Sequence, residues 1–319
     1  MSLPIITVTL NPAIDKTITV PQLELGSLNR VLESRTDPGG KGINVAKVLK
    51  HFDMKVLATG FIAGIQGKQL LQYLEEEEIP LDFVQVQGET RTNLKVIDES
   101  TSITTEINEN GFDITENQLE MLKEKLNGIL DQASLLVLGG SFPPGVPQTI
   151  YQEYIQLAHS KGIRTILDAD GIALREGIKA KPYAIKPNIH ELEQLVGYSL
   201  ESEEEIIQAG RKLIDQGISI VIISMGAQGA LCLDQHEAYR ILPFPITAKS
   251  TVGAGDSMVG ALSYSLLQQF SLREMAVWTT TAGTITASKS GTQVCTFQEV
   301  KDSLEKVHLS KIQNKKELA

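Results

Sequence analysis

An aspartate follows three small residues late in the chain, where residues 250–257 read STVGAGDS. Apolar residues recur at helical spacing directly after this segment, so we expect a helix to begin within it. Free amides at a helix N-terminus suit phosphate or a developing negative charge. A carboxylate beside them, that of Asp256, could take a proton from an attacking hydroxyl during phosphoryl transfer. The same pattern also fits a glycine-rich turn with an acidic residue that favours a helix start.

A second glycine-rich segment, DPGGKGIN at residues 37–44, also precedes an apolar pattern with helical spacing. Its glycines allow a ligand to approach the backbone closely, Lys41 supplies a mobile cation, and Asn44 supplies both a donor and an acceptor. The spacing is not that of a Walker A loop. The alternative is a turn that carries a solvated lysine.

Three further positions carry two interpretations each. Asp15 follows the first predicted strand and could bind a ligand or close a turn. Arg91 could hold a phosphate or be a surface charge. Asn188 and Glu191 have the spacing of a helix capping box, and they could also organise a hydrated Mg²⁺ ion. The last two roles are compatible.

Composition narrows the class of protein. The chain has 319 residues, 42% of them hydrophobic, and a net charge of -10, so a general nucleic-acid surface is not expected. Two cysteines and five scattered histidines predict neither a disulfide framework nor a protein-ligated zinc site. No apolar run reaches the length of a membrane span, and the N-terminus resembles a strand more than a signal peptide. We therefore expect a cytoplasmic protein that does not bind membranes.

The elements that must position these residues alternate between strands and helices. We predict strands over residues 5–10, 56–61, 83–86, 135–138, 163–167, 183–185 and 218–223, and helices over residues 66–78, 115–131, 147–160 and 203–216. Such alternation predicts a mostly parallel sheet whose carboxyl edge collects the polar segments. Residues 94–98 and 104–107 alternate polar and apolar side chains and predict a small antiparallel sheet.

Seven motifs occur in the order found in ribokinase-like carbohydrate kinases of the PfkB family, and together they span residues 5–300. They are NPAIDKT, GGKGIN, GETRTN, GSFPPG, KPNIHEL, SMGAQGA and STVGAGDS. The stretches GGKGINVAKVLK and TEINENG most resemble the 1-phosphofructokinase branch. Tagatose-6-phosphate kinases and minor 6-phosphofructokinases are near relatives.

The resemblance implies one α/β kinase domain over residues 1–319, with a central mostly parallel sheet, flanking helices and a small β-sheet lid from strands near residues 14–36 and 92–107. It implies ATP-dependent, Mg²⁺-assisted phosphorylation of a phosphosugar, with fructose 1-phosphate converted to fructose 1,6-bisphosphate. A homodimer formed through the lid is a further expectation by resemblance.

The resemblance also assigns roles by motif. The proposed base is Asp256, beside an anion hole of Gly253, Ala254 and Gly255. The acceptor residues would be Asp15, Gly39, Gly40, Lys41, Asn44, Arg91 and Ser141, the last two on the phosphate already present. The nucleotide would contact Lys186, Asn188, Ser224, Gly226, Gly229, Thr251, Gly253 and Gly255. Asn188 and Glu191 would organise Mg²⁺ through water.

Two departures and several alternatives accompany this interpretation. Asp170 stands where the family pattern has serine, and Lys289 makes dependence on potassium doubtful. The acceptor could instead be tagatose 6-phosphate, fructose 6-phosphate or an unphosphorylated sugar. From another class, the protein could be a sugar-phosphate sensor without catalysis, against which the intact Asp256, Asn188 and Glu191 argue.

Overall fold

The computed structural model describes residues 3–101 and 103–313, which form a large and a small β-sheet. The large sheet has ten strands, numbered by their order in the chain: β1 Ile5–Thr9, β4 Val56–Ala63, β5 Leu81–Val86, β8 Leu135–Gly139, β9 Thr165–Asp168, β10 Ala184–Ile185, β11 Ile220–Ser224, β12 Ala230–Leu233, β13 Ala238–Leu242 and β14 His308–Lys311. Their order in space is β14-β13-β12-β11-β10-β9-β8-β1-β4-β5.

The large sheet is parallel from β5 to β11 and antiparallel from β11 to β14. The seven predicted strands of the parallel part are confirmed, with ends shifted by at most two residues. The antiparallel strands were not predicted. The turn after β11 is too short for a crossover, so the chain can only fold back as a hairpin. The last strand, β14, includes Lys311, and residues 314–319 lie outside the described part.

Helices cover both faces of the large sheet. They are α1 Lys41–His51, α2 Gly64–Glu76, α3 Glu116–Leu130, α4 Ile150–Ser160, α5 Gly171–Gly177, α6 Ile189–Val196, α7 Glu203–Asp215, α8 Ala254–Leu267, α9 Leu272–Ala287 and α10 Phe297–Lys301. Alternate residues of one strand enter different cores: Ile6 belongs to the cluster that includes Leu122 of α3, whereas Ile5 belongs to the cluster that includes Leu262 of α8. This three-layer arrangement is the α/β class that the sequence predicts.

The small sheet has four strands, β2 Ala13–Val20, β3 Glu33–Gly39, β6 Arg91–Asp98 and β7 Ile103–Asn108, in the order β3-β2-β6-β7. The predicted β6–β7 hairpin is confirmed. The sheet as a whole is mixed, because β2 and β6, whose pairing was not predicted, pair in parallel. Strand β2 follows β1 and strand β6 follows β5, and both preceding strands belong to the parallel part of the large sheet. The chain between β2 and β6 runs back through the large sheet, so it enters both strands in the same direction.

The parallel strands end in the segments that the sequence singles out. Asp168 ends β9, Lys186 follows β10 and Ser224 ends β11, and these strands are neighbours in the sheet. Parallel register therefore brings their polar side chains to one edge. Within residues 3–101 and 103–313, none of the helices has the length and apolar character needed to cross a membrane.

Candidate active site

A cavity of about 840 Å³ opens at the carboxyl edge of the parallel strands. Every residue predicted to contact nucleotide lines it, and so do Ala254, Asp256, Glu191 and Lys41. The sequence did not single out Phe244 and Met258, which form an apolar wall of the cavity next to Thr284. Such a wall suits the flat ring of a base, whereas the opposite wall carries charge.

The start of α8 lies at the bottom of this cavity. Gly253 occupies the N-cap position with φ 78° and ψ -7°, a left-handed conformation that a residue with a Cβ adopts only at a cost. No side chain caps the helix here. The Ala254 amide donates a long hydrogen bond of 3.3 Å to Thr251 O. Of the three amides expected to form the anion hole, it is therefore the least available to a ligand. The first turn of α8 thus faces the cavity as a potential anion site.

Asp256 lies in the first turn of α8 and is 8% exposed. Its Oδ2 accepts a 2.7 Å hydrogen bond from Asn44 Nδ2 of α1. Burial, followed by the nearby charge of Asp168, raises the pKa of Asp256 to about 6, while Lys41 and Asn44 act in the opposite direction. A carboxylate with this pKa is ionised near neutral pH and still basic enough to accept a proton.

Four charged side chains surround the space between Asp256 and the strand ends. Asp168 Oδ1 lies 3.2 Å from Lys41 Nζ and 3.3 Å from Lys186 Nζ, and Lys41 Nζ is also 3.9 Å from Glu191 Oε1. Burial opposes the ionisation of Asp168 and of Lys41. The two lysines nevertheless lower the pKa of Asp168, and the surrounding carboxylates raise the pKa of Lys41. Lys41 therefore keeps its charge within this cluster.

Lys41 lies at the boundary between the two sets of predicted residues. It belongs to the acceptor motif, yet its ammonium faces the acids of the nucleotide cavity. Its stem passes Gly139, whose added Cβ would come within 3.2 Å of Lys41 Cβ. One cation can therefore serve both sides of the cleft.

Asn188 and Glu191 form a complete capping box at the start of α6. Glu191 N donates to Asn188 Oδ1 at 2.9 Å, and Asn188 N donates to Glu191 Oε2 at 2.8 Å. The capping interpretation is thus confirmed. Burial raises the pKa of Glu191 despite the nearby Lys41, and its Oε1 remains directed toward the cavity side of the cluster.

The remaining acceptor residues gather outside this cavity, where the small sheet meets the large one. The Asp15 carboxylate packs on Gly39, where an added Cβ would come within 2.7 Å of Asp15 Cγ. Gly40 is the N-cap of α1. The structure therefore brings Asp15, Gly39 and Gly40 together and connects them to Asp256 through Asn44 of α1.

Arg91 and Ser141 approach each other from different sheets. Arg91 Nη2 donates to Ser141 Oγ at 3.3 Å and to Asn11 O at 3.2 Å. The segment before Ser141 is held by Tyr151, whose hydroxyl donates to Gly139 O at 2.8 Å. Arg91 Nε is buried and finds no partner among the described residues. Burial lowers the pKa of Arg91, an effect that Asp15 and Asp170 oppose. Asp170 thus contributes negative charge near this guanidinium.

Sequence reasoning missed Asp168, the centre of the charged cluster. Its position at the end of a buried strand was a signal that could have indicated a site residue. Asp170, which lies two residues later and is exposed, was noted instead. Asp168 Oδ2 is buried and has no hydrogen-bond partner in the described part of the chain. The late loop residue Lys289 pairs with Glu299 at 2.7 Å.

Comparisons with known proteins show which family the chain resembles over nearly its whole length. The model of the pfkB family of carbohydrate kinases matches residues 8–299. A 1-phosphofructokinase from Borreliella burgdorferi is 37% identical over 97% of this chain and 99% of its own length. One from Bacillus subtilis is 35% identical over 89% of this chain and 92% of its own. The crystal structure of phosphofructokinase-2 from Escherichia coli superposes with a TM-score of 0.89 at 32% identity, covering 95% of this chain and 98% of that one.

Proposed function

Because the chain belongs to the pfkB family of carbohydrate kinases and is a sugar kinase that transfers phosphate to an alcohol acceptor, we propose that it converts fructose 1-phosphate to fructose 1,6-bisphosphate at the expense of ATP. The choice of acceptor rests on the full-length likeness to proteins named 1-phosphofructokinase. The geometric observation that carries the reaction type is the buried Asp256 carboxylate between the cavity and the acceptor residues.

ATP occupies the 840 Å³ cavity in this proposal, with its base against the Phe244 and Thr284 wall and its phosphates toward Lys186 and Gly226. The γ-phosphate meets the first turn of α8, where amides and Lys186 offset its charge. Lys186 Nζ is close to this turn, since an added Cβ at Gly255 would lie 3.1 Å from it. The protein supplies these donors without rearrangement, so the charge of the transferring group is stabilised cheaply.

Asp256 accepts the proton of the attacking hydroxyl as the phosphoryl group is transferred. The Asn44 bond fixes one carboxylate oxygen and leaves the other for the acceptor. Lys41, held between Asp168 and Glu191, stands beside the path of the phosphoryl group and can follow it from donor to acceptor.

The phosphate already on the acceptor binds to Arg91 and Ser141 in this proposal. The unpartnered Arg91 Nε and the Ser141 hydroxyl offer donors on one side of the cleft. Asp15 binds sugar hydroxyls, and Gly39, Gly40 and Asn44 close the pocket beneath them. The small sheet then acts as a lid within a single kinase domain and excludes water from the transfer.

Mg²⁺ fits the oxygen atoms that remain free in the charged cluster. The capping box occupies Glu191 Oε2 and Asn188 Oδ1, which leaves Glu191 Oε1 and the unpartnered Asp168 Oδ2 for water or metal. Oxygen ligands with intervening waters are what this ion prefers. When bound, it supplies positive charge that offsets the phosphate oxygens.

A homodimer through the small sheet is part of the proposal. The outer strand β7 is exposed along its length, and Ile103 and Ile107 are 61% and 57% exposed there. An exposed edge strand with apolar side chains is a ready pairing surface. A mass by light scattering of twice 34.8 kDa would support this assembly, and a monomeric mass would contradict it.

The acceptor is tested by an ADP-release assay with fructose 1-phosphate, fructose 6-phosphate, tagatose 6-phosphate and free fructose. We expect the highest kcat/KM with fructose 1-phosphate and the lowest with free fructose. Preference for another phosphosugar would replace the proposed substrate and keep the reaction. Absence of ADP release with every sugar, despite measurable sugar-phosphate binding, would favour a sensor.

A further inference from the structure

The face of the small sheet that turns toward α1 carries two rows of polar side chains. Pairing places Asp15 opposite Asp37 on one side and Asn93 on the other. The next row with the same orientation contains Thr17, opposite Arg35 and Lys95. Acid and amide oxygens thus form one row, and two cations flank the next.

Lys95 is buried beside Asp15 without a close bond to it. Its side chain is 10% exposed and that of Asp15 is 8% exposed, yet Lys95 Nζ lies 3.6 Å from Asp15 Oδ2, beyond hydrogen-bond distance. Asp37, by contrast, is gripped by Arg35 through contacts of 2.8 to 3.0 Å. The two acids of the row are therefore neutralised differently, one tightly and one with a gap.

Asn93 provides a second sign that this place is incomplete. Its Nδ2 donates to Asp15 Oδ1 at 2.9 Å. Its Oδ1 is buried and finds no partner in residues 3–101 and 103–313. An ammonium with donors to spare, a carboxylate oxygen and an orphan amide oxygen thus face one small space.

A hydroxyl group satisfies this set, since it donates one hydrogen bond and accepts others. An oxygen atom about 2.8 Å from both Lys95 Nζ and Asp15 Oδ2 would bridge the gap. We propose that Lys95 is a specificity-determining residue that binds a ring or chain hydroxyl of the acceptor sugar, jointly with Asp15. This inference rests on the proposed function, because it assumes that the acceptor enters between the small sheet and α1.

The test is a cycle of enzyme and substrate changes. Lys95→Met, Lys95→Gln and wild type are assayed on fructose 1-phosphate and on its 3-deoxy and 4-deoxy derivatives. Lys16→Met is the matched control, because Lys16 is an exposed lysine of the same sheet whose side chain is on the opposite face. Melting curves verify that each variant is folded.

We expect Lys95→Met to lower kcat/KM for fructose 1-phosphate about 10- to 100-fold through KM, the size of a lost charged hydrogen bond, while KM for ATP stays the same. With the deoxy sugar that lacks the bridging hydroxyl, Lys95→Met should lower kcat/KM less than about threefold. The substitution and the missing hydroxyl remove the same interaction, so their effects do not add. Lys95→Gln, which retains a donor, should fall between the two.

Equal losses on the parent sugar and on both deoxy sugars would overturn the inference, because Lys95 would then only neutralise Asp15. Unchanged kinetics in Lys95→Met would overturn it as well. If the wild-type enzyme phosphorylates no sugar of the panel, the proposed function itself is overturned. The wild-type assay alone gives this result, so the two failures can be told apart.

Discussion

In the proposed function, the nucleotide end and the acceptor end of the cleft are formed by different parts of the polypeptide. At the nucleotide end, strand termini of the large sheet, the first turn of α8 and a capped α6 present backbone groups and a buried ion cluster. At the acceptor end, charged side chains stand on the small sheet, whose outer strand β7 is exposed throughout. Backbone groups therefore dominate the first end, and side chains dominate the second.

This difference separates reaction type from substrate choice. Backbone amides at a helix start cannot be altered by a substitution without disturbing the fold, so phosphoryl chemistry is tied to the architecture. Side chains such as Arg91 and Lys95 can change one at a time, so acceptor preference can change while the catalytic end is kept. The two ends meet at Asn44–Asp256 and where Gly291 contacts Arg35.

The strongest test of the catalytic end is Asp256→Asn. We expect kcat to fall by a factor on the order of 10²–10⁴, because the amide cannot accept the proton. The new side chain keeps an oxygen that can accept the Asn44 bond, so the melting temperature and both KM values should change little. Initial rates at saturating substrates measure the effect. Near-normal turnover in the folded variant would refute the base assignment.

At the acceptor end, Arg91→Ala should act on binding and not on chemistry. We expect KM for fructose 1-phosphate to rise about 10- to 100-fold with kcat nearly kept, since the lost interaction is common to ground and transition states. Arg164→Ala is the matched control, because Arg164 precedes β9 at the opposite edge of the sheet. An unchanged ratio of kcat/KM between fructose 1-phosphate and free fructose would exclude Arg91 as the phosphate ligand.

Glu191→Gln separates the two roles of the α6 capping box. Glutamine preserves such a box, so stability should be unaffected, but the charge beside the cluster is lost. We expect the Mg²⁺ concentration for half-maximal rate to rise about tenfold, as for groups that orient a metal's ligands. Glu205→Gln changes the equivalent position of α7 and serves as control. If both variants keep the Mg²⁺ dependence of the wild type, Glu191 only caps the helix.

The raised pKa of Asp256 predicts a pH limit that belongs to the catalytic end alone. With a pKa of about 6, the carboxylate is protonated at lower pH and cannot act as base. We expect kcat/KM to be constant above pH 7 and to fall roughly tenfold per unit well below pH 6. Since the sugar phosphate also titrates near this pH, free fructose is the control acceptor. A profile for fructose that stays flat to pH 5 would contradict the assignment.

The nucleotide end was readable from the sequence because its signals are local. A glycine-rich turn before a helix, an Asn-x-x-Glu helix start and polar residues after apolar strands each act through neighbours in the chain. Their meeting in one cavity then follows from parallel strand order. Asp168 escaped because nothing in its own segment announces Lys41, which lies 127 residues away in sequence.

The acceptor end was less readable because its contacts are set by the register of the small sheet. Lys95 and Asp15 face one another because β2 and β6 pair in parallel, a pairing that the sequence did not predict. An error in strand direction changes every cross-strand neighbour. The contact between Gly291 and Arg35 depends in addition on where the loop after α9 lies.

That contact supplies the smallest expected effect, in Gly291→Ala. Gly291 has φ 61°, and an added Cβ would lie 2.6 Å from Arg35 Cζ and 2.9 Å from Asp37 Oδ2. The strain of a left-handed alanine costs about 1–2 kcal/mol, and the Arg35–Asp37 pair must also shift. We therefore expect a lower melting temperature and small rises in the KM of both ATP and sugar, since this loop touches the small sheet and continues α9, whose Thr284 and Ala287 line the nucleotide cavity. Gly128→Ala is the control: Gly128 lies in α3 with open space around it, so alanine should raise the melting temperature and leave the kinetics alone. A rise confined to the KM of one substrate would show that the two ends are independent across this contact, and the division between them would then be sharper than the shared loop implies.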